Sequence, residues 1–118
     1  MTKQTGTQGE RAAADYLKQR GYVLLATNWH CPRGEIDIVA RHNEVLVFVE
    51  VKTRRGDQPD AAFASVSPAK RKRLIASAYL YLQQNRLDDV QWRIDVIAVA
   101  LPRMGKAFIA HVEDALDW

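Results

Sequence analysis

Apolar residues recur along this chain with two different periods. Ala13, Ala14 and Leu17 follow Glu10 at the spacing of one helix face. Thr7 and Glu10 have the T-x-x-E spacing of a capping box, and Gly21 offers a C-terminal stop, so a first helix is expected over about residues 7–20. The period then changes to two. Strands are expected at about Tyr22–Asn28, Glu35–Arg41 and Val45–Thr53, with "WHCPRG" as a loop between the first two. "RRGDQPDAAFASV", rich in Gly, Pro, Asp and Ala, reads as a loop. Ser67 is a good N-cap with Pro68 at the first helical position. Leu74, Ala78 and Leu82 form the buried stripe of this second helix, with Ile75 and Tyr81 beside it, and it ends near Arg86. "QWRIDVIAVAL" is a fourth strand, apolar enough to be buried on both faces. "KAFIAHVE" is a fifth, and the tail ending in Trp118 forms a final turn. The order αβββαββ, without repeats or a dividing linker, predicts a single α/β domain over residues 1–118. Its mixed central sheet is flanked by helices, and the helix between strands three and four implies a right-handed parallel crossover.

Charged residues interrupt the second and third strands. On strand three, Val45, Val47, Val49 and Val51 share one face, and Leu46, Phe48, Glu50 and Lys52 the other. On strand two, Ile36, Ile38 and Ala40 share one face, and Glu35, Asp37, Val39 and Arg41 the other. A two-residue loop at Asn43-Glu44 sets Val39 opposite Phe48, Asp37 opposite Glu50 and Glu35 opposite Lys52. Asn tolerates the positive φ of such loops and Glu does not, so a longer loop stays open; a one-residue slip would separate Asp37 and Glu50 onto opposite faces. In the first register the two carboxylates lie with Cβ atoms ~5 Å apart, which is destabilising without a counter-charge. Lys52 relieves part of it and a divalent cation relieves more. Mg²⁺ is commonly held by one or two carboxylates plus water and phosphate oxygens. An ion pair on one strand face, with a solvated acidic strand end, is the plainer reading of the same residues.

Glu10 also has two readings, a helix cap or a carboxylate projecting over the sheet. The second helix opens with Lys70, Arg71, Lys72 and Arg73. These are a solvated charged face or contacts to a phosphate backbone, and Arg54 and Arg55 near the acidic residues favour the latter. His30, His42 and His111 lack ligand spacing, and Trp29 and Trp92 read as packing residues.

Composition changes the picture little. The chain has 118 residues, 47% hydrophobic and 26% charged, with a net charge of +3 and a pI near 9.2. This permits a nucleic-acid partner without demanding one. Cys31 is the only cysteine, which excludes an internal disulfide and fits a reducing compartment; beside a proline it reads as inert. No apolar run approaches the ~18 residues of a membrane span, and the N-terminal segment lacks a signal peptide's apolar core. A cytoplasmic protein without a membrane partner is expected.

With Glu10, "GEID", "VFVEVKTR" and Lys70 in place, the chain resembles the YraN family of small bacterial proteins. That family is similar to Holliday junction resolvases, a branch of the restriction-endonuclease-like PD-(D/E)xK superfamily. The resemblance runs from "GERAAADYL" to the fourth strand. It implies a restriction-endonuclease-like domain and Mg²⁺- or Mn²⁺-dependent hydrolysis of DNA phosphodiesters, on structured or branched DNA. By it, Asp37 and Glu50 are the metal-ligating acids, Lys52 the catalytic lysine, and Glu10 the helix-borne glutamate of the resolvase-like branch. Lys70 falls near the helix position where related nucleases carry Gln or Lys. Ile36 stands where the motif's proline would be. The rival expectation is a nucleic-acid- or protein-binding module that keeps the fold without catalysis, or a structural partner of a DNA-processing complex. Homodimer assembly is left open.

Overall fold

A computed structural model describes residues 3–60, 63 and 66–115. The elements follow the expected order: α1 (Lys3–Gln19), β1 (Val23–Cys31), β2 (Gly34–His42), β3 (Val45–Arg55), α2 (Pro68–Gln84), β4 (Trp92–Leu101) and β5 (Phe108–Val112). The five strands form one sheet in the order β1-β2-β3-β4-β5. β3 and β4 run parallel and the other neighbours antiparallel. Ala61, Ala62, Ala64 and Ser65 of the expected loop, and the expected turn at Trp118, lie outside the described residues. No helix among the described residues is long and apolar enough to cross a membrane.

Strand parity puts the helices on opposite faces. Val47, Val49 and Val51 pack with Ala13 and Leu17 of α1 and with Ile97 and Val99. Leu46 and Phe48 pack with Leu74, Ala78, Tyr81 and Leu82 of α2 and with Ile94. Trp29 and Trp92 pack against this second cluster, as expected. β4, covered on both faces and paired on both edges, is buried from Ile94 to Ala100. The single mixed α/β domain with its five-stranded sheet is compatible with a restriction-endonuclease-like fold.

Several boundaries differ from expectation. α1 starts at Lys3, so Thr7 lies inside the helix and is not its cap. Adding upstream residues to a formed helix costs less than starting one, so a T-x-x-E spacing does not by itself mark the start. Gly9 within α1 allows the helix to approach β3 closely, because a Cβ there would overlap the Thr53 side chain. β1 continues through Trp29, His30 and Cys31, leaving only Pro32-Arg33 as a turn between the paired Cys31 and Gly34. β3 runs on to Arg55, and β5 is shorter than expected.

The β2–β3 hairpin takes the register that brings Asp37 and Glu50 to one place. Val39 pairs with Phe48 and His42 with Val45. Asn43 supplies a positive φ of 55°, whereas Glu44 is not among the described residues that take one. The ladder stops at Ile38 and Val49. Beyond it, β2 stays paired with β1, so Glu35 lies opposite His30 and not opposite Lys52. Ile36 also leaves the face of Ile38 and Ala40 and joins Val39 in the cluster under α2. Strict alternation fails at this point because strands twist, and β2 here follows β1 and no longer β3. α2 meets its expectations: Ser67 has extended φ/ψ, its Oγ accepts from the Lys70 N–H at 3.2 Å, and Pro68 opens the helix.

Candidate functional site

The site lies where β2 parts from β3. Beyond Val49, β3 keeps β4 as a neighbour but loses β2. Its backbone N–H at Val51 then needs an acceptor, since a buried amide is seldom left unpaired. Asp37 provides one: its Oδ2 accepts from the Val51 N–H at 2.8 Å. The side chain thus replaces the missing rung.

Glu50, one step further along β3, is 4% exposed, and Asp37 is 6% exposed. Burial, then the Glu50 charge, push the Asp37 carboxyl up to about 8; Glu10 and Glu35 add to this, and the Val51 amide opposes it. Two lysines meet Glu50 at one oxygen. Lys52 Nζ lies 3.3 Å and Lys70 Nζ 3.0 Å from Glu50 Oε1. Burial, and then Lys70, draw Lys52 below its ordinary value, against the pull of Glu50. Lys70 is raised: burial draws it down, but the Lys52 contact, Glu50 and Asp37 together outweigh burial. Opposite shifts are what two close ammonium groups produce when one gives up charge more readily than the other.

Glu10 reaches the same neighbourhood from α1. Burial raises its carboxyl, a hydrogen bond from the Asn28 side chain lowers it, and the charges of Glu35 and Glu50 raise it further. Asn28, in β1 with φ of 50°, is a residue that sequence reasoning missed. Its one signal was that Asn tolerates the left-handed region beside an irregularity in the strand. Glu35 itself faces His30, with Nδ1 3.3 Å from Oε2.

The structure therefore brings together Glu10, Asp37, Glu50, Lys52 and Lys70. Lys70 belongs to the acidic cluster, not to an open basic face. Arg73 borders a cleft of about 240 Å³ whose lining includes Gly34, Glu35, Glu50, Lys70 and Leu74. Arg54, Arg55 and Lys72 are exposed, on the continuation of β3 and on α2, and Arg71 is half-buried.

The donor set suits a hard divalent cation. Carboxylate oxygens are its preferred ligands, and a cation between Asp37 and Glu50 would offset both the burial and the repulsion that favour the neutral form of Asp37. Among the described residues no group of three or more His, Cys, Asp and Glu is placed to hold a metal ion. A metal here would rest on these two carboxylates and complete its shell with water and phosphate oxygens, as Mg²⁺ commonly does.

A second polar cluster lies on the α1 face and gave no motif. Asp95, wholly buried in β4, accepts from Arg93 Nε at 3.0 Å and from the Asp114 N–H at 2.9 Å. His111 Nε2 lies 2.8 Å from Asp95 Oδ2, and His111 Nδ1 lies 3.0 Å from the Tyr16 hydroxyl of α1. Burial alone would raise the Asp95 carboxyl, but the bonds from His111, Arg93 and Asp114 hold it below its usual range. The only hint was Arg93 and Asp95, two residues apart in an otherwise apolar interior strand.

Relatives of this chain share it almost end to end. A "UPF0102 protein" of Roseiflexus castenholzii is 47% identical over 114 residues, covering 95% of this chain and 92% of that protein. One from Syntrophus aciditrophicus is 43% identical over 113 residues, covering 96% and 88%. One from Neisseria gonorrhoeae is 42% identical over 99 residues, covering 84% and 86%. The family described as "Uncharacterised protein family UPF0102" matches residues 9–99, a span holding Glu10, Asp37, Glu50, Lys52 and Lys70. The chain belongs to that family, the YraN-type family that its motifs resemble.

Proposed function

We propose that this protein is a Mg²⁺- or Mn²⁺-dependent nuclease that hydrolyses DNA phosphodiester bonds, structured or branched DNA included, in the cytoplasm. The observation that carries the reading is the pair of buried carboxylates Asp37 and Glu50, with Lys52 on the same strand 3.3 Å from Glu50. A binding module has no need to bury two mutually repelling acids.

Asp37 and Glu50 would hold the metal, which when bound stabilises phosphate charge and activates water. Hydrolysis joins a water oxygen to phosphorus and breaks one phosphorus–ester oxygen bond; the water gives up a proton and the leaving sugar oxygen takes one. Lys52 places a positive charge where the phosphate gains negative charge, the kind of fixed electrostatic support that lowers such barriers. Glu10, held by Asn28, closes the site from the α1 side. Arg54, Arg55, Lys72 and Arg73 would contact neighbouring phosphates and fix the register of the strand.

A panel of linear, single-stranded, flap and four-way DNA, with and without Mn²⁺, tests the activity. Glu50→Gln and Lys52→Ala should each lower cleavage by about 100-fold or more. Glu50→Gln should weaken Mn²⁺ binding, whereas Lys52→Ala should bind it as well as wild type or better, since a competing charge is gone. A wild-type protein that cuts none of the panel and binds no divalent metal at millimolar concentration ends the nuclease reading in favour of a binding module.

A further inference from the structure

Two ammonium groups share one oxygen in this site, and they reach it from different supports. Lys52 extends from β3, the strand that also carries Glu50, and its side chain is 15% exposed. Lys70 extends from the first turn of α2, and its side chain is 32% exposed. Lys70 also borders the cleft of about 240 Å³ that runs between α2 and the start of β2, with Arg73 on its rim. A lysine head on a flexible stem can turn from the carboxylate into that cleft without moving the helix.

A divalent cation approaching Glu50 meets this arrangement as competition, because Glu50 Oε1 is already neutralised at 3.0 Å by Lys70. The metal must supply more attraction than the ammonium it replaces. The replaced ammonium then needs a new anion, and the cleft it lines is the nearest open space, with Arg73 as a second cation on its rim and Glu35 as the acid it must avoid.

We propose that Lys70 is a displaceable counter-ion: it occupies the cation position at Glu50 until a divalent metal enters, then turns into the cleft and, with Arg73, binds a substrate phosphate adjacent to the one cut. This rests on the metal-dependent nuclease reading. It makes Lys70 a phosphate-binding residue whose availability is set by the metal, so that metal and DNA favour each other's binding.

The test uses the full chain, with Mn²⁺ titration by calorimetry and binding of a fluorescent DNA duplex by anisotropy in EDTA. Lys70→Met, which keeps the apolar stem and removes the charge, binds Mn²⁺ roughly five- to tenfold more tightly than wild type, the order expected for removing one partly screened ion pair. In EDTA the wild-type ammonium is engaged with Glu50. Glu50→Gln frees that ammonium and binds duplex several-fold more tightly. Adding Lys70→Met abolishes the gain, whereas adding Lys52→Met preserves it. Lys70→Gln repeats the metal measurement should the Met variant fold poorly. If wild type binds Mn²⁺ and both Lys70 variants bind it no more tightly, the displacement is overturned and the nuclease reading stands. If no variant binds Mn²⁺, both fall. A duplex gain that persists in Glu50→Gln/Lys70→Met overturns the phosphate role.

Discussion

The Asp37 carboxyl completes the hydrogen bonding of Val51, and the same placement sets it against Glu50 in a buried position. Burial first, and then the Glu50 charge, raise the Asp37 carboxyl, and its proton makes their sum measurable. In the unfolded chain an aspartate ionises near 3.8, and in the folded protein Asp37 does so at about 8. Between those values the folded state holds the extra proton, so stability falls as pH rises through the window. Asp37→Asn keeps an oxygen for the Val51 amide and cannot ionise. It should stabilise the metal-free protein by roughly 1–3 kcal/mol at pH 8. The gain should grow from about pH 5 to 8 and level off above that. Mn²⁺ should raise the melting temperature of wild type and leave Asp37→Asn where it was. Thermal melts in EDTA and in Mn²⁺ across pH check both, and a gain that shrinks with rising pH would contradict the buried repulsion. The meeting of Asp37 with Glu50 was legible in the sequence, because strand parity and a two-residue turn leave one register for them. The reach of Lys70 and the support of Glu10 by Asn28 were not, since they join separate elements and depend on packing that no local pattern encodes.

At the scale of elements, α1 and α2 are set against the sheet by quite different devices. α1 rests on β3 at Gly9, where a Cβ would overlap Thr53 and lie 2.7 Å from the Thr53 Cβ itself. Rotating the Thr53 side chain cannot relieve that. Gly9→Ala, although favourable for an isolated helix by about 1 kcal/mol, should therefore destabilise the protein by roughly 1–3 kcal/mol. Thr53→Gly should recover much of the deficit, so denaturant unfolding of the two single variants and the double variant should show strong non-additivity. Additive effects would mean that α1 does not rest there. On α2, Lys72 and Arg73 face solvent, whereas Lys70 turns to Glu50. Neutralising Lys72, Arg73 and Arg54 should flatten the slope of log K for DNA against log salt by about 0.9 for each phosphate that the protein no longer neutralises. An unchanged slope would reduce these residues to a solvated face. The helix periods and the Ser67-Pro68 start were plain in the sequence. A capping box and an interior T-x-x-E look alike, so the spacing places the start of α1 too late, and Pro32 makes the whole of "WHCPRG" read as a loop although β1 runs to Cys31.

At the scale of the molecule, Asp95 joins parts that the sequence keeps far apart. It ties β4 to His111 of β5, and His111 to Tyr16 of α1. Sequence patterns mark the charged residues of β4 but not their partners, because the spacing of the cluster's members has no period. Held below its usual range, the Asp95 carboxyl contributes stability at and above its unfolded value of 3.8 that is lost as pH falls below it, the reverse of Asp37. Asp95→Ala leaves the half-buried Arg93 with only its longer contact to Glu113 at 3.8 Å and the Asp114 amide without its acceptor, and should cost about 3–5 kcal/mol. Asp95→Asn should cost less, and equal costs in chemical denaturation would show that charge is not what matters there. The chain order gives this clasp one more consequence, on the ribosome. Glu10, Asp37, Glu50, Lys52 and Lys70 have all been synthesised before β4 begins at Trp92, yet β3 is buried by β4, and α1 is clasped through His111. Contacts so distant along the chain form late. A nascent chain therefore carries all five side chains of the candidate site before it carries the strand and the clasp that hold β3 and α1 in place.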